Sequence, residues 1–173
     1  MRQAVRPVRV VLGAVLISLL PSAAASGQQL VYLVRHAERA DQGAPAGQMM
    51  AQTDPPLSIV GEARANQLAA MLRDAGITAV FATEYRRTQD TVKPLAARLR
   101  LEVQAHPARD TEGLVARLRS APAAGVVLVA GHSNTLPDVI KALGGPEITI
   151  ADAEYDNIFI FVPATKALTR IRY

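Results

Sequence analysis

At 173 residues the chain has the length of one domain, and with 50% hydrophobic and 20% charged residues it has material for a sizeable core, which excludes an intrinsically disordered protein. The absence of Cys excludes a disulfide framework and a lipid-modified start. The net charge of +4 leans on Arg2, Arg6 and Arg9, and about +1 is left without them, too little for the clustered basic face that nucleic-acid binding requires.

In chain order, those three arginines precede an apolar run, Val10 to Leu20, which Pro21 ends. Small residues follow from Ser22 to Gly27, with an A-x-A pattern at Ala23 and Ala25. This is the three-part design of a secretory signal peptide. The apolar run is too short to cross a bilayer core of about 30 Å as a helix. Residues 1–25 are therefore expected to be a signal peptide and residues 26–173 one domain. The mature protein is expected to be exported, periplasmic or extracellular, with no stable membrane span after cleavage.

Beyond Gly27 short apolar runs alternate with helical stretches, the pattern of an α/β domain around a largely parallel sheet. Leu30–Val34 is the first predicted strand, and the polar, Gly- and Pro-containing segment 40–56 is predicted as a loop. A helix follows from Ser58, a good N-cap, to about Ala75. Ile77–Ala82 is the second strand, and a helix from near Arg87 to Leu99 is expected to kink or break at Pro94. A third strand over Leu101–Gln104 and a helix over Thr111–Ser120 come next. Val126–Ala130 reads as the most deeply buried strand. The helix after it starts near Thr135, with a Thr135–Asp138 capping box expected around Pro137, and ends at Gly144-Gly145. Asn157–Val162 and Ala167–Ile171 form a predicted C-terminal hairpin.

The unusual polar residues follow strands. Arg35-His36 follows the first, Thr83 to Arg87 the second, and Gly131-His132-Ser133-Asn134 the strand at Val126. Ligands of parallel α/β sheets bind beyond the carboxyl ends of the strands, so these residues converge on one crevice. Arg offers forked donors that pair with phosphate oxygens, and an unprotonated imidazole is a competent nucleophile toward phosphorus. Nearby arginines disfavour the imidazolium and keep His36 neutral. His132 precedes a helix N-terminus and is placed to hydrogen-bond the phosphoryl oxygens. Asn134 either donates to substrate or caps that helix. His106, before Pro107, reads as an exposed loop residue, Arg86 as surface or rim, and Glu154-Tyr155-Asp156 as a turn, with lining of the pocket mouth as the alternative.

Four ordered segments carry a resemblance. Val34-Arg35-His36-Ala37-Glu38 resembles the Arg-His-Gly/Ala signature of the histidine phosphatase superfamily, in its phosphoglycerate mutase-like branch 1. Leu57-Ser58-x-x-Gly61 is similar to the start of that family's first helix. Phe81 to Thr91 resembles its second-arginine segment, with Arg87 at the catalytic position. Val129 to Thr135 resembles its second-histidine segment. The resemblance implies a three-layer α/β sandwich, a phosphohistidine intermediate at His36, and a phosphate pocket completed by Arg35, Arg87 and His132. It implies no metal and no cofactor, and the sequence shows no metal-ligand spacing. The proton donor is open among Glu112, Asp110 and Glu38.

The expected function is hydrolysis of small phosphorylated substrates, phosphomonoesters, at His36. A mutase-like phosphoryl transferase and a non-catalytic phosphate-ester binder are the alternatives. Export speaks against the mutase and against the family's phosphohistidine phosphatases that act on cytoplasmic proteins.

Overall fold

The computed structural model describes residues 29–42, 54–122 and 125–173. The predicted signal peptide and most of the predicted 40–56 loop lie outside the described residues. The elements run β1 (Leu30–Arg35), α1 (Ile59–Met71), β2 (Ala79–Thr83), α2 (Arg86–Leu99), β3 (Val103–His106), α3 (Thr111–Ser120), β4 (Val126–Gly131), α4 (Thr135–Ala142), β5 (Asn157–Val162) and β6 (Ala167–Arg172).

The strands form one sheet in the order β3-β2-β4-β1-β5-β6. β3, β2, β4 and β1 pair in parallel, whereas β5 is antiparallel to both β1 and β6. The sheet is therefore mixed, parallel in its first four strands and closed by the C-terminal hairpin. Alternating side chains split the core in two. Val31 and Leu33 of β1 and Val127 and Val129 of β4 pack with α3 and α4 through Leu118, Leu136 and Ile140. Val34, Leu128 and Ala130 face the other way and meet α1 and α2 through Leu68, Leu72, Val92 and Leu95. Each sheet face thus buries its own helix pair, and the chain is a three-layer α/β sandwich.

Three expectations are corrected in detail. α2 runs unbroken through Pro94, because Leu95 and Ala96 beyond it and Thr91 and Val92 before it are all buried against the sheet. The capping box at α4 does not form. Thr135 Oγ1 instead accepts the His132 N–H at 3.0 Å, and Asn134 is the N-cap without a side-chain bond. His106 is buried at the end of β3, with its Nε2 on the Asp110 carbonyl, rather than exposed in a loop. Among the described residues no helix is long and apolar enough to cross a membrane.

The N-terminus of α1 fixes the chain just beyond His36. Ser58 caps the helix by accepting the Gly61 N–H at 3.1 Å, and its own N–H donates to the Glu38 carbonyl at 2.8 Å. A Cβ at Gly61 would collide with that same Glu38 oxygen. Gly61→Ala should therefore lower stability by roughly 1–3 kcal/mol, because main chain has to move to admit one methyl group. A urea midpoint equal to that of the wild type would contradict this packing.

Candidate active site

The sheet register brings the two histidines together. Arg35 at the end of β1 pairs with Gly131 at the end of β4, and the His36 N–H donates to the Gly131 carbonyl at 2.9 Å. The rings of His36 and His132 stand 5.3 Å apart, centroid to centroid, edge to face. They border an open cavity of about 350 Å³, whose wall includes Arg35, Arg39, Arg87 and Asn134. All the residues singled out from the sequence, His36, Arg35, Arg87, His132 and Asn134, meet there.

His36 is oriented by main chain. Its Nδ1 lies 2.8 Å from the Ala37 carbonyl oxygen, which can only accept. Nδ1 must therefore carry the proton, and Nε2 keeps the lone pair. Ala37 is held in turn, its N–H donating to Thr91 Oγ1 at 2.9 Å, while the Thr91 hydroxyl donates to the Arg87 carbonyl at 2.8 Å. The first turns of α2 thereby tie the nucleophile's loop to the helix that presents Arg87.

Burial lowers the His36 pKa to about 3, outweighing the Ala37 hydrogen bond, and His132, Arg87 and Arg35 add to the depression. Burial likewise lowers His132 to about 4, helped by Arg87, Arg35 and Arg39. Both imidazoles are neutral near pH 7. His132 Nε2 lies 2.9 Å from Thr83 Oγ1, which is itself 2.7 Å from Thr88 Oγ1, so hydroxyls from β2 and α2 fix its orientation.

The folded-state pKa values lie below the ordinary 6.5, so the unfolded chain binds more protons as pH drops below that value. Stability due to these neutral imidazoles is full above pH 6.5 and is lost as pH falls toward 4, by about 1.4 kcal/mol per pH unit for each group. Urea midpoints measured from pH 7 to pH 4.5 should fall, and His36→Ala should flatten the slope. An unchanged slope in that variant would show that His36 does not titrate this way.

The arginines are partly satisfied by protein. Arg35 Nη1 donates to the carbonyls of Ala151 and Asp152, both at 2.9 Å, and of Glu154 at 3.3 Å, and Nη2 donates to the Tyr155 hydroxyl at 3.3 Å. Its guanidinium also lies 4.2 Å from the Tyr155 ring centroid. Arg87 stacks on Tyr85 at 4.2 Å and has Asp54 at 3.5 Å. Among the described residues, the Nε atoms of Arg35 and of Arg87 are buried and have no hydrogen-bond partner. Both guanidiniums line the cavity, where their positive charge favours an anion.

The sequence reasoning missed several wall residues. Arg39 is on the wall and is held by Asp41 through two bonds of 2.8 and 2.7 Å. Tyr85, Arg109 and Asp152 also line the cavity. The segment read as a turn at Glu154 lies beside the site, since Tyr155 packs 5.9 Å from the His36 ring. Arg39, three residues past His36, was the one with a usable signal. Of the proton-donor candidates, Glu38 pairs with Arg64 at 2.6 Å, Asp110 caps α3, and Glu112 is exposed on α3. None lines the cavity.

A sequence model of the histidine phosphatase superfamily (branch 1) matches residues 31–110. A protein of Yersinia enterocolitica named "Probable phosphoglycerate mutase GpmB" is 38% identical over 77 residues, a match covering 44% of this chain and 35% of that protein's length. The structure of the protein histidine phosphatase SixA complexed with tungstate superposes with a TM-score of 0.61 at 19% identity, covering 82% of this chain and 94% of that one. A mycobacterial glucosyl-3-phosphoglycerate phosphatase superposes with a TM-score of 0.60 at 14% identity, covering 83% of this chain and 97% of that one. At such identities the superpositions speak for the fold alone, and the likeness to branch 1 of the histidine phosphatase superfamily rests on the sequence match over residues 31–110.

Proposed function

We propose that the protein is a phosphatase that hydrolyses small phosphorylated substrates in two steps, without a metal ion, through a phosphohistidine at His36. The observation that carries this reading is the convergence of Arg35, Arg87 and His132 on the cavity beside a neutral His36 whose proton is tied to the Ala37 carbonyl. Guanidiniums lining a cavity favour an anion there, and an imidazole with a free Nε2 lone pair supplies the nucleophile. His132 and the arginines stabilise charge on the equatorial oxygens as the phosphoryl group passes over. Asn134, at the N-terminus of α4, offers a further donor to the bound group.

The alternatives differ in what they release. A mutase-like transferase, the activity that the name of the Yersinia relative suggests, hands the phosphoryl group to a second hydroxyl and frees little inorganic phosphate. A non-catalytic binder frees none. The test incubates the protein with EDTA and a panel of phosphorylated compounds, follows inorganic phosphate, and quenches with base to trap a phosphoenzyme that acid hydrolyses. Release of phosphate with label on His36 is expected. Turnover abolished by EDTA, or label on another residue, sinks the proposal.

We further propose that the protein works outside the cytoplasm, on the signal-peptide pattern of residues 1–25. Cell fractionation decides it, and a full-length chain found in the cytoplasm would overturn it.

A further inference from the structure

All 15 Asp and Glu side chains of the chain fall within the described residues, so every carboxylate has a known place. Asp152 alone among them lines the cavity beside His36. Its side chain is 99% exposed, and its nearest cation, Arg35, is 4.0 Å away. A carboxyl that is to donate a proton near neutral pH must first keep it, which takes burial or a neighbouring anion. Asp152 has neither. Asp54, near Arg87, accepts the Arg86 N–H with both oxygens, and Asp41 is held as a carboxylate by Arg39. The imidazoles are no substitute, because a neutral histidine has no imidazolium proton to give.

Resting on the phosphohistidine reading above, we infer that the site takes phosphoryl donors whose leaving group departs as a stabilised anion: acyl, enol or aryl phosphates rather than simple alkyl phosphates. In the first step the Nε2 lone pair of His36 forms the N–P bond. The P–O bond to the leaving group breaks, and its electron pair stays on the departing oxygen. A carboxylate, enolate or phenolate carries that pair without being protonated, whereas an alkoxide needs an acid at that moment. The second step makes no such demand. Because Nδ1 keeps its proton on the Ala37 carbonyl, the phosphorylated ring is cationic. Water attacks phosphorus, the N–P bond breaks, its pair returns to Nε2, and the ring leaves as neutral imidazole. The water's surplus proton goes to the phosphate product or to solvent. The missing acid therefore restricts which substrates can load His36 and leaves its unloading untouched.

The test compares kcat/KM for p-nitrophenyl phosphate, phenyl phosphate, acetyl phosphate and ethyl phosphate in the full chain, with phosphoenzyme trapping in parallel. A positioned general acid is commonly worth about 10²–10⁴-fold, so ethyl phosphate should lag p-nitrophenyl phosphate by roughly 10³-fold or more. Ethyl phosphate within about tenfold of p-nitrophenyl phosphate overturns the inference. If that near-equality disappears in Asp152→Asn or in Tyr85→Phe, the acid is thereby identified and the inference is equally overturned. The two levels fail separately. No label on His36 from any donor defeats the phosphohistidine reading. Label from acetyl phosphate together with rapid turnover of ethyl phosphate defeats the leaving-group inference alone.

Discussion

His36→Ala should lower turnover by at least about 10⁴-fold while the protein stays folded. Removing a nucleophile leaves only binding and charge stabilisation, and losses of this order are typical when one member of a covalent catalytic unit is deleted. The fold has no need of the ring. Its one side-chain hydrogen bond is to the neighbouring Ala37 carbonyl, while the His36 main-chain bond to Gly131 survives the substitution. Removing a buried base also removes a group that opposes folding at low pH. The measurements are kcat, a urea midpoint at pH 5, and tungstate affinity by calorimetry. Retained oxyanion binding with lost turnover is the expected pattern, and activity above about one per cent of wild type would show that another residue attacks phosphorus.

The second large effect concerns the two cavity arginines, Arg35 and Arg87. Arg35→Lys and Arg87→Lys keep the charge but remove the planar fork, so each should lower kcat/KM by about 10²–10³-fold, the scale seen when a preorganised donor to transition-state charge is removed. The two variants should differ elsewhere. Arg35 spans the carbonyls of Ala151, Asp152 and Glu154, so its loss frees the segment between α4 and β5. Among the described residues Arg87 makes no such contact, its partners being Tyr85 and Asp54. Amide exchange should therefore quicken at residues 151–155 in Arg35→Lys alone. Near-native kcat/KM in either variant would remove that arginine from the phosphate pocket.

The sequence carried the strands well because buried runs such as Val126–Ala130 alternate between two helical layers and tolerate few polar residues. The site residues were legible for a related reason: a charged or imidazole side chain directly after such a run has to emerge at the sheet's carboxyl edge. Long-range acceptors were not legible. Nothing local to Arg35 reveals that its donors reach residues more than a hundred positions away, nor that Tyr155 lies against His36. Pro94 misled because its local cost is outweighed by the buried face of α2 on either side of it. His106 misled because the fold, rather than its neighbours in sequence, closes over the end of β3. The proton-donor candidates were chosen by spacing along the chain, which does not determine which way a carboxylate faces.

The acceptor that orients His36 belongs to the backbone. Where a carboxylate takes that position, its negative charge makes the ring more basic, and the nucleophile is protonated more readily in acid. The Ala37 carbonyl is a dipole without net charge; it directs the ring and raises its affinity for protons, but burial outweighs that pull. A site built this way keeps its nucleophile unprotonated well below neutral pH, at the expense of the fold's stability in acid. No replacement of the Ala37 side chain can abolish the contact either, since every amino acid brings the same oxygen.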